Sequence, residues 1–275
     1  MIAMPLAEAG AEFAGHLKGN LDWGQFFSAL VLVMVRVSGI MVFAPIFSSD
    51  AIPARIKAGF VLAVSFLLAP MVAGLPLAHA ELGVMPVVGE LGVGLLLGLS
   101  LSLLNEILYF AGQLLGFQFS FSLVNLLDPN TKIENPLLAQ MFTLLGTLVL
   151  FGAGLDRTIL LAFMRSFRDA PVGTVVFPGH AGLPLVFAMS GVFFAGLQLA
   201  APVMAATLLV EVVISVMGKL SPEMPVMMIA IPAKTMLGYV VLIGSLALWP
   251  RFLESRFSFL LDGAEHVLRQ AVVAR

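Results

Sequence analysis

The sequence has no cysteine and very little charge. Among its 275 residues, 11% are Asp, Glu, Lys or Arg, whereas 60% are hydrophobic, and the mean hydropathy is +1.06. The absence of cysteine excludes disulfide bonds, thiolate metal sites and cysteine nucleophiles. Because ordinary soluble domains carry about 25% charged residues, a soluble fold of this size could not cover its surface. We therefore expect lipid or partner proteins to cover it.

The sequence lacks the motifs that are typical of several functional classes. The net charge is −2 and no run of Lys and Arg occurs, so nucleic acid is not an expected partner. No nucleotide-binding loop, nucleophile elbow or zincin pattern is found, and we predict no enzymatic activity and no cofactor. The first twenty residues do not resemble a cleaved signal peptide, so internal segments are expected to direct insertion. The histidines are scattered outside the most apolar stretches, so no metal site is predicted: His16, His79, His180 and His266.

Long apolar stretches are what the sequence has instead. The first reaches roughly 30 Å as a helix, which is enough to cross a hydrocarbon core. The pattern predicts an all-α membrane protein with five to seven hydrophobic, partly kinked helices and helical hairpins. The apolar stretches are Phe26–Phe47, Ala58–Pro76, Met85–Leu127, Leu137–Leu155, Leu185–Leu220 (interrupted by Pro202) and Val226–Trp249.

The third stretch is too long for one span. We predict a helix to about Leu115 and then a less regular segment, which ends at Asp128-Pro129. Irregular backbone at membrane depth is tolerated only where protein or a water-filled cavity surrounds it. At the other end of the chain, charged and apolar residues alternate between Arg251 and Arg275. That pattern predicts an amphipathic helix lying on a surface.

Among the ionisable residues within the apolar stretches, five lie away from the ends of those stretches: Arg36, Glu90, Glu106, Glu211 and Lys234. Each would cost several kcal/mol in lipid, so we expect each to face protein or water. For Arg36 the expected cover is an acid, Glu90 or Glu106, or backbone carbonyl groups. A transporter would use such residues as a proton or ion path. Ion pairs that fix helix register between subunits are favoured, because no acids follow one another at regular spacing.

Two further patterns predict how helices pack. Glu211 and Lys234 are equally far along the chain from the centre of the turn at Leu220–Pro225. In an antiparallel hairpin they reach the same level, where each can neutralise the other. Glycine pairs with a spacing of four permit close contact between helices: Gly94 with Gly98, and Gly112 with Gly116.

The distribution of basic residues only partly predicts how the chain is oriented in the membrane. Arg55 and Lys57 favour a cytoplasmic position for the first connection between spans. Lys219 weakly favours a cytoplasmic turn at Leu220–Pro225. Arg165 and Arg168 oppose this orientation in some threadings of the middle of the chain, so the topology stays open.

Three stretches together resemble the FliR family of flagellar export-gate proteins. The first is RVSGIMVFAPIFSS from Arg36, followed by IPARIKAG from Ile52. The second is GQLLGFQFSFS from Gly112, which leads to Asp128-Pro129. The third is PEMPV from Pro222, followed by PAKTMLG from Pro232. Their order and spacing fit the family, and the resemblance covers about residues 29–249.

This resemblance implies a fold and a role. The chain would be a single-copy core component of the flagellar type III export apparatus in the bacterial inner membrane, within the basal body. FliP, FliQ and FlhB type subunits would surround it, with membrane lipid, and unfolded flagellar subunits would pass through the shared channel. Residues 1–25 would be an N-terminal extension, 26–184 a FliP-like half, 185–249 a FliQ-like hairpin and 250–275 the amphipathic tail.

The family also implies a segment that closes the pore. The resemblance places it at residues 116–128, where the sequence is rich in Phe and carries polar side chains. Its candidate gate residues are Gly116, Phe117, Gln118, Phe119, Phe121, Asn125 and Asp128. For Lys234 the resemblance offers an alternative to pairing within the chain, since the matching lysine of FliQ faces an acid of a neighbouring subunit.

Two other functions compete with this interpretation. A virulence injectisome contains a homologous gate component with the same fold, although FSSDAIPARIK is more similar to the flagellar proteins. A small-solute transporter would predict inverted repeats with paired broken helices, and the sequence has no convincing internal repeat.

Overall fold

A computed structural model of the chain describes residues 23–44, 52–74, 81–119, 137–177, 183–221 and 226–272. These residues form eight α-helices and one short 3-10 helix. The α-helices are α1 (Trp23–Phe43), α2 (Ala54–Ala73), α3 (Val84–Gln118), α4 (Leu137–Gly152), α5 (Leu155–Asp169), α6 (Leu183–Leu220), α7 (Val226–Ser245) and α8 (Trp249–Ala271), with the 3-10 helix Leu246–Leu248 before α8.

Length and composition make this a membrane protein. Five helical segments are long and apolar enough to cross a bilayer, and a sixth results if α4 and α5 are one broken span. In the described residues, the prediction of an all-α membrane protein with five to seven hydrophobic helices is confirmed. The N-terminal extension lies almost wholly outside the described residues.

The helices differ from the predictions at two points. Helix α3 continues as a regular helix to Gln118, one turn beyond the predicted end. Helix α6 runs unbroken for 38 residues through Pro202, so the predicted interruption there was wrong. Membrane helices tolerate proline because neighbouring helices and side chains satisfy the freed backbone groups. Between α4 and α5 the chain turns at Gly154, whose φ of 71° is accessible to glycine without strain.

The described chain divides into two compact units. One contains the chain up to Gly98, the segment that starts at Met164, and the end of α8 from Leu268. There, Val175 and Val272 form an isolated antiparallel bridge. The other unit contains the chain from Leu99 to Phe163 and the helices from α6 to Val267.

The second unit has a hydrophobic core to which the amphipathic tail contributes. The apolar face of α8 supplies Leu253, Phe257, Leu260 and Leu261 to this core, beside Trp249 at its start. The tail forms a helix, and the surface that its apolar residues pack on is the chain's own core. Amphipathic periodicity reports that one face is buried, without specifying whether lipid or protein covers it.

Candidate functional site

One arginine lies wholly inside the first unit. Arg36 on α1 is 0% exposed, and its Nε donates to Oε2 of Glu90 on α3 at 2.5 Å. Its Nη1 donates to the carbonyl oxygen of Ser166 at 3.0 Å, and its Nη2 to that of Ala170 at 2.9 Å. The ring centre of Phe167 lies 4.4 Å from the guanidinium carbon, a cation–π contact. These contacts replace the water that the charge has lost.

The acid of this pair is also fully engaged. Glu90 is 0% exposed, and its second oxygen, Oε1, accepts from the backbone N–H of Gly173 at 3.0 Å. Gly173 has φ of 81°, a conformation that favours glycine. The network therefore connects α1, α3, the end of α5 and the residues that follow α5, and this geometry holds these elements together.

Backbone contact between α1 and α3 surrounds this ion pair. A Cβ on Gly39 would lie 3.0 Å from the Cα of Gly94, and one on Gly94 would overlap the carbonyl oxygen of Arg36. A Cβ on Gly98 would lie 3.1 Å from the Cα of Ile40. Gly94 and Gly98 thus allow the close helix contact that their spacing indicated.

The second glycine pair behaves differently. A Cβ on Gly112 would lie 2.9 Å from the backbone nitrogen of Ala139 on α4, so Gly112 is a packing residue. Gly116 faces open space among the described atoms. The spacing of four residues between Gly112 and Gly116 therefore does not indicate a packing contact at Gly116 among the described residues.

A second ion pair connects α6 and α7. Lys234 Nζ donates to Glu211 Oε1, which places the two residues at one level of an antiparallel hairpin. The side chain of Lys234 is 14% exposed and that of Glu211 is 50% exposed. The structure pairs these residues within the chain, and it leaves half of the Glu211 side chain accessible to a further partner.

The end of α3 is fastened to the same hairpin. Gln118 Nε2 donates to Oγ1 of Thr207 on α6 at 2.7 Å, and Thr207 is 0% exposed. The ring of Phe119 stacks on Tyr239 of α7 with 5.1 Å between centres. Gly238 beside it has no room for a Cβ because the Phe119 ring occupies that space.

The remaining candidate residues lie elsewhere or outside the described residues. Phe117 is 70% exposed and Glu106 is also exposed, both on α3. Glu106 is therefore not the acid that covers Arg36. Phe121, Asn125 and Asp128 lie outside the described residues. In the part of the chain that the structure describes, no group of three or more His, Asp or Glu side chains could hold a metal ion.

Sequence reasoning expected an acid or backbone carbonyl groups around Arg36, but it did not identify which backbone groups complete these contacts. Ser166 and Ala170 bind Arg36 through backbone carbonyls, and Gly173 binds Glu90 through its N–H. Backbone groups carry no residue-specific signal, so the sequence had no means to identify them. Thr207 had a weak signal, because a hydroxyl in a long apolar helix needs a partner.

Comparison with known proteins assigns the chain to a family. Residues 27–260 match the family described as Bacterial export proteins, family 1. Among relatives, flagellar biosynthetic protein FliR of Pectobacterium carotovorum is 28% identical, over 91% of this chain and 95% of its own length. The FliR proteins of Escherichia coli K12 and Bacillus subtilis 168 are 23% and 24% identical, over 86% and 88% of this chain and 91% and 95% of their own lengths. The family profile matches well over half of the sequence, and the chain belongs to bacterial export protein family 1.

Proposed function

We propose that this chain is a core component of a flagellar type III export gate, through which unfolded flagellar subunits cross the bacterial inner membrane. The observation that carries the proposal is similarity over nearly the whole length of proteins named flagellar biosynthetic protein FliR. Because it spans both chains almost end to end, the similarity includes both the N-terminal helices and the C-terminal hairpin. An injectisome role is not favoured, since these relatives are flagellar.

Surface chemistry supports an assembled state. Helices α6 and α7 expose many large apolar side chains, among them Phe193 at 64%, Leu209 at 67% and Met236 at 71%. Patches of this kind mark contact with lipid or with partner proteins. We assign the partners as FliP, FliQ and FlhB type subunits, with one copy of this chain in each basal body. The chain acts in this gate as a scaffold and not as an enzyme.

The gate itself is proposed to lie at residues 116–128. Support comes from the described start of this segment. Gln118 is held by Thr207, and Phe119 is held by Tyr239. These contacts fix the point from which the rest of the segment leaves α3. We propose that the segment faces the channel of the assembled gate and closes it between export events.

Purification of the tagged chain in mild detergent tests the assignment. We expect FliP, FliQ and FlhB type subunits to co-purify, and deletion of the gene to abolish motility and export of flagellar subunits. Recovery of a lone chain that a small solute stabilises would overturn the assignment and favour a transporter. Co-purification with injectisome subunits would select the virulence machine.

Partial deletion tests the gate segment. Removal of residues 121–125 is expected to leave the complex assembled but leaky to small solutes. A control deletion at the C-terminus, residues 273–275, should leave the complex closed. Normal assembly together with unchanged ion permeability in the gate deletion would refute the assignment of the gate to this segment.

A further inference from the structure

One helix carries an exposed face that combines positive charge with large apolar side chains. Along α5 the exposed positions follow the spacing i, i+3, i+4, i+7, i+8 and i+11, which places them on one side of a helix. They are Arg157, Leu160, Leu161, Met164, Arg165 and Arg168. The opposite side is buried, with Leu155 at 5%, Ala162 at 4% and Ser166 at 3% exposure. The exposed face therefore faces away from the protein.

The charges and the apolar residues are separated along this face. Arg157 lies in the first turn of α5, and Arg165 and Arg168 lie in its last turns. Between them, Leu160 is 63% and Leu161 is 48% exposed. Asp169, the neighbour of Arg168, contacts Arg269 at 3.7 Å. Long arginine side chains at the two ends can reach outward while the apolar residues between them enter a hydrocarbon layer.

The position of α5 in the chain fits a membrane surface. The preceding helix α4 has 16 residues without a charged side chain, so it spans about 24 Å at 1.5 Å per residue. It ends at Gly152, and the chain turns at Gly154 before α5 begins. Helix α5 has 15 residues and three arginines, which makes it too short and too polar to cross a bilayer alone.

We infer that the exposed face of α5 docks on the bilayer surface and binds the phosphate groups of anionic phospholipids. Leu160, Leu161 and Met164 enter the boundary between headgroups and acyl chains. The three arginines contact phosphates there, where guanidinium groups form paired hydrogen bonds to phosphate oxygens. An acidic protein partner is the competing occupant. The mixture of Leu and Met with Arg on one narrow face favours the lipid interface.

Lipid binding to the purified complex tests this inference. The gate complex in detergent would be titrated with phosphatidylglycerol and, separately, with phosphatidylcholine of the same acyl chains, and bound lipid counted by native mass spectrometry. We expect preference for phosphatidylglycerol. Each arginine near an anionic surface contributes about fivefold, so the triple variant R157Q/R165Q/R168Q should lower that affinity by on the order of a hundredfold.

A control variant separates a specific face from overall charge. The variant R55Q/K219Q/R251Q also removes three positive charges, but from exposed positions outside α5. It is expected to keep most of the phosphatidylglycerol affinity. Equal affinity for both lipids in the unaltered complex, or equal losses in the two variants, would overturn the inference.

Photo-crosslinking in cells tests the same face without purification. A photoreactive amino acid at Leu161 is expected to form adducts with phospholipid, whereas one at the buried Leu155 should not. An adduct between position 161 and another protein would instead identify a protein partner and overturn the lipid assignment. The crosslinking readout uses neither motility, export nor a purified gate complex, so its result is independent of the proposed role in the flagellar gate.

Discussion

Among the residues that the structure describes, two ion pairs connect apolar helices, and their surroundings differ. Arg36 and Glu90 are both 0% exposed, and backbone groups satisfy the rest of each side chain. Lys234 and Glu211 form a single contact, with Glu211 half-exposed. A buried pair depends on complete satisfaction, because a lone charge in a protein interior is expensive. An exposed pair contributes little by itself and leaves a group available to a partner.

The difference indicates different roles for the two pairs. The first is a closed network within one compact unit, so it stabilises that unit whether or not partners are present. The second lies on a hairpin whose apolar surface is open, among residues such as Leu208 at 54% and Val212 at 53% exposure. Its full effect is therefore expected only in the assembled state, where neighbours exclude water and strengthen electrostatic contacts.

The largest effect should come from removing one half of the buried pair. Glu90→Ala leaves Arg36 charged and uncompensated, which costs about 3–5 kcal/mol. We expect the chain to be largely lost from membranes, as measured by immunoblot and by thermal unfolding in detergent. The double variant R36M/E90L removes both charges and should recover part of the loss. A stable, abundant Glu90→Ala protein would contradict the network's structural role.

Gly94→Ala should have the next largest effect. The added methyl group overlaps the carbonyl oxygen of Arg36 and must push α1 away from α3. Overpacking of this kind costs about 1–3 kcal/mol. The control is Gly191→Ala on α6, where the methyl group meets open space and alanine favours the helix by about 0.5–1 kcal/mol. Thermal unfolding in detergent should shift in opposite directions for the two variants.

Gln118→Leu tests a partly buried contact, intermediate between the buried and the exposed ion pair. It removes the donor to Thr207, whose hydroxyl also donates to carbonyl groups of its own helix, so the loss is about 1 kcal/mol. We expect normal assembly with a small rise in solute permeability of the gate, measured by dye uptake. Phe259→Leu, at an exposed position on α8 outside the gate segment, serves as the control. If Gln118→Leu lost as much stability as Glu90→Ala, the expectation that more deeply buried contacts contribute more to stability would be wrong.

The smallest effect on stability is expected for the exposed pair. Glu211→Ala in the purified chain should change the free energy of unfolding by at most about 1 kcal/mol. Motility is the more sensitive measure, because it depends on the assembled gate. If pairing within the chain is what the gate requires, Glu211→Lys with Lys234→Glu should restore the motility that each single change abolishes. Rescue only by a reversed acid in a neighbouring subunit would select pairing across an interface.

Particular residues show how far sequence reasoning reaches. An arginine inside an apolar stretch predicts a covering acid, and Glu90 and Glu106 were equal candidates on the sequence. They lie on the same helix, yet Glu90 is 0% exposed beside Arg36, whereas Glu106 is exposed. Which of the two acids reaches Arg36 depends on how α3 is rotated about its axis relative to α1. The mean apolarity of α3 carries no information about that rotation. The glycines Gly39 and Gly94 set it by close contact.

The sequence by itself determined the membrane class, the helical fold and the family, because these follow from composition, from the length of apolar stretches and from short motifs that are local in the chain. Only the tertiary structure decided which acid binds Arg36, that the apolar face of α8 packs on the protein's own core, and that Pro202 lies within a continuous helix. The Arg36–Glu90 network depends on residues far apart in sequence, and three of its five hydrogen bonds use a backbone carbonyl or N–H group, which carries no residue-specific signal.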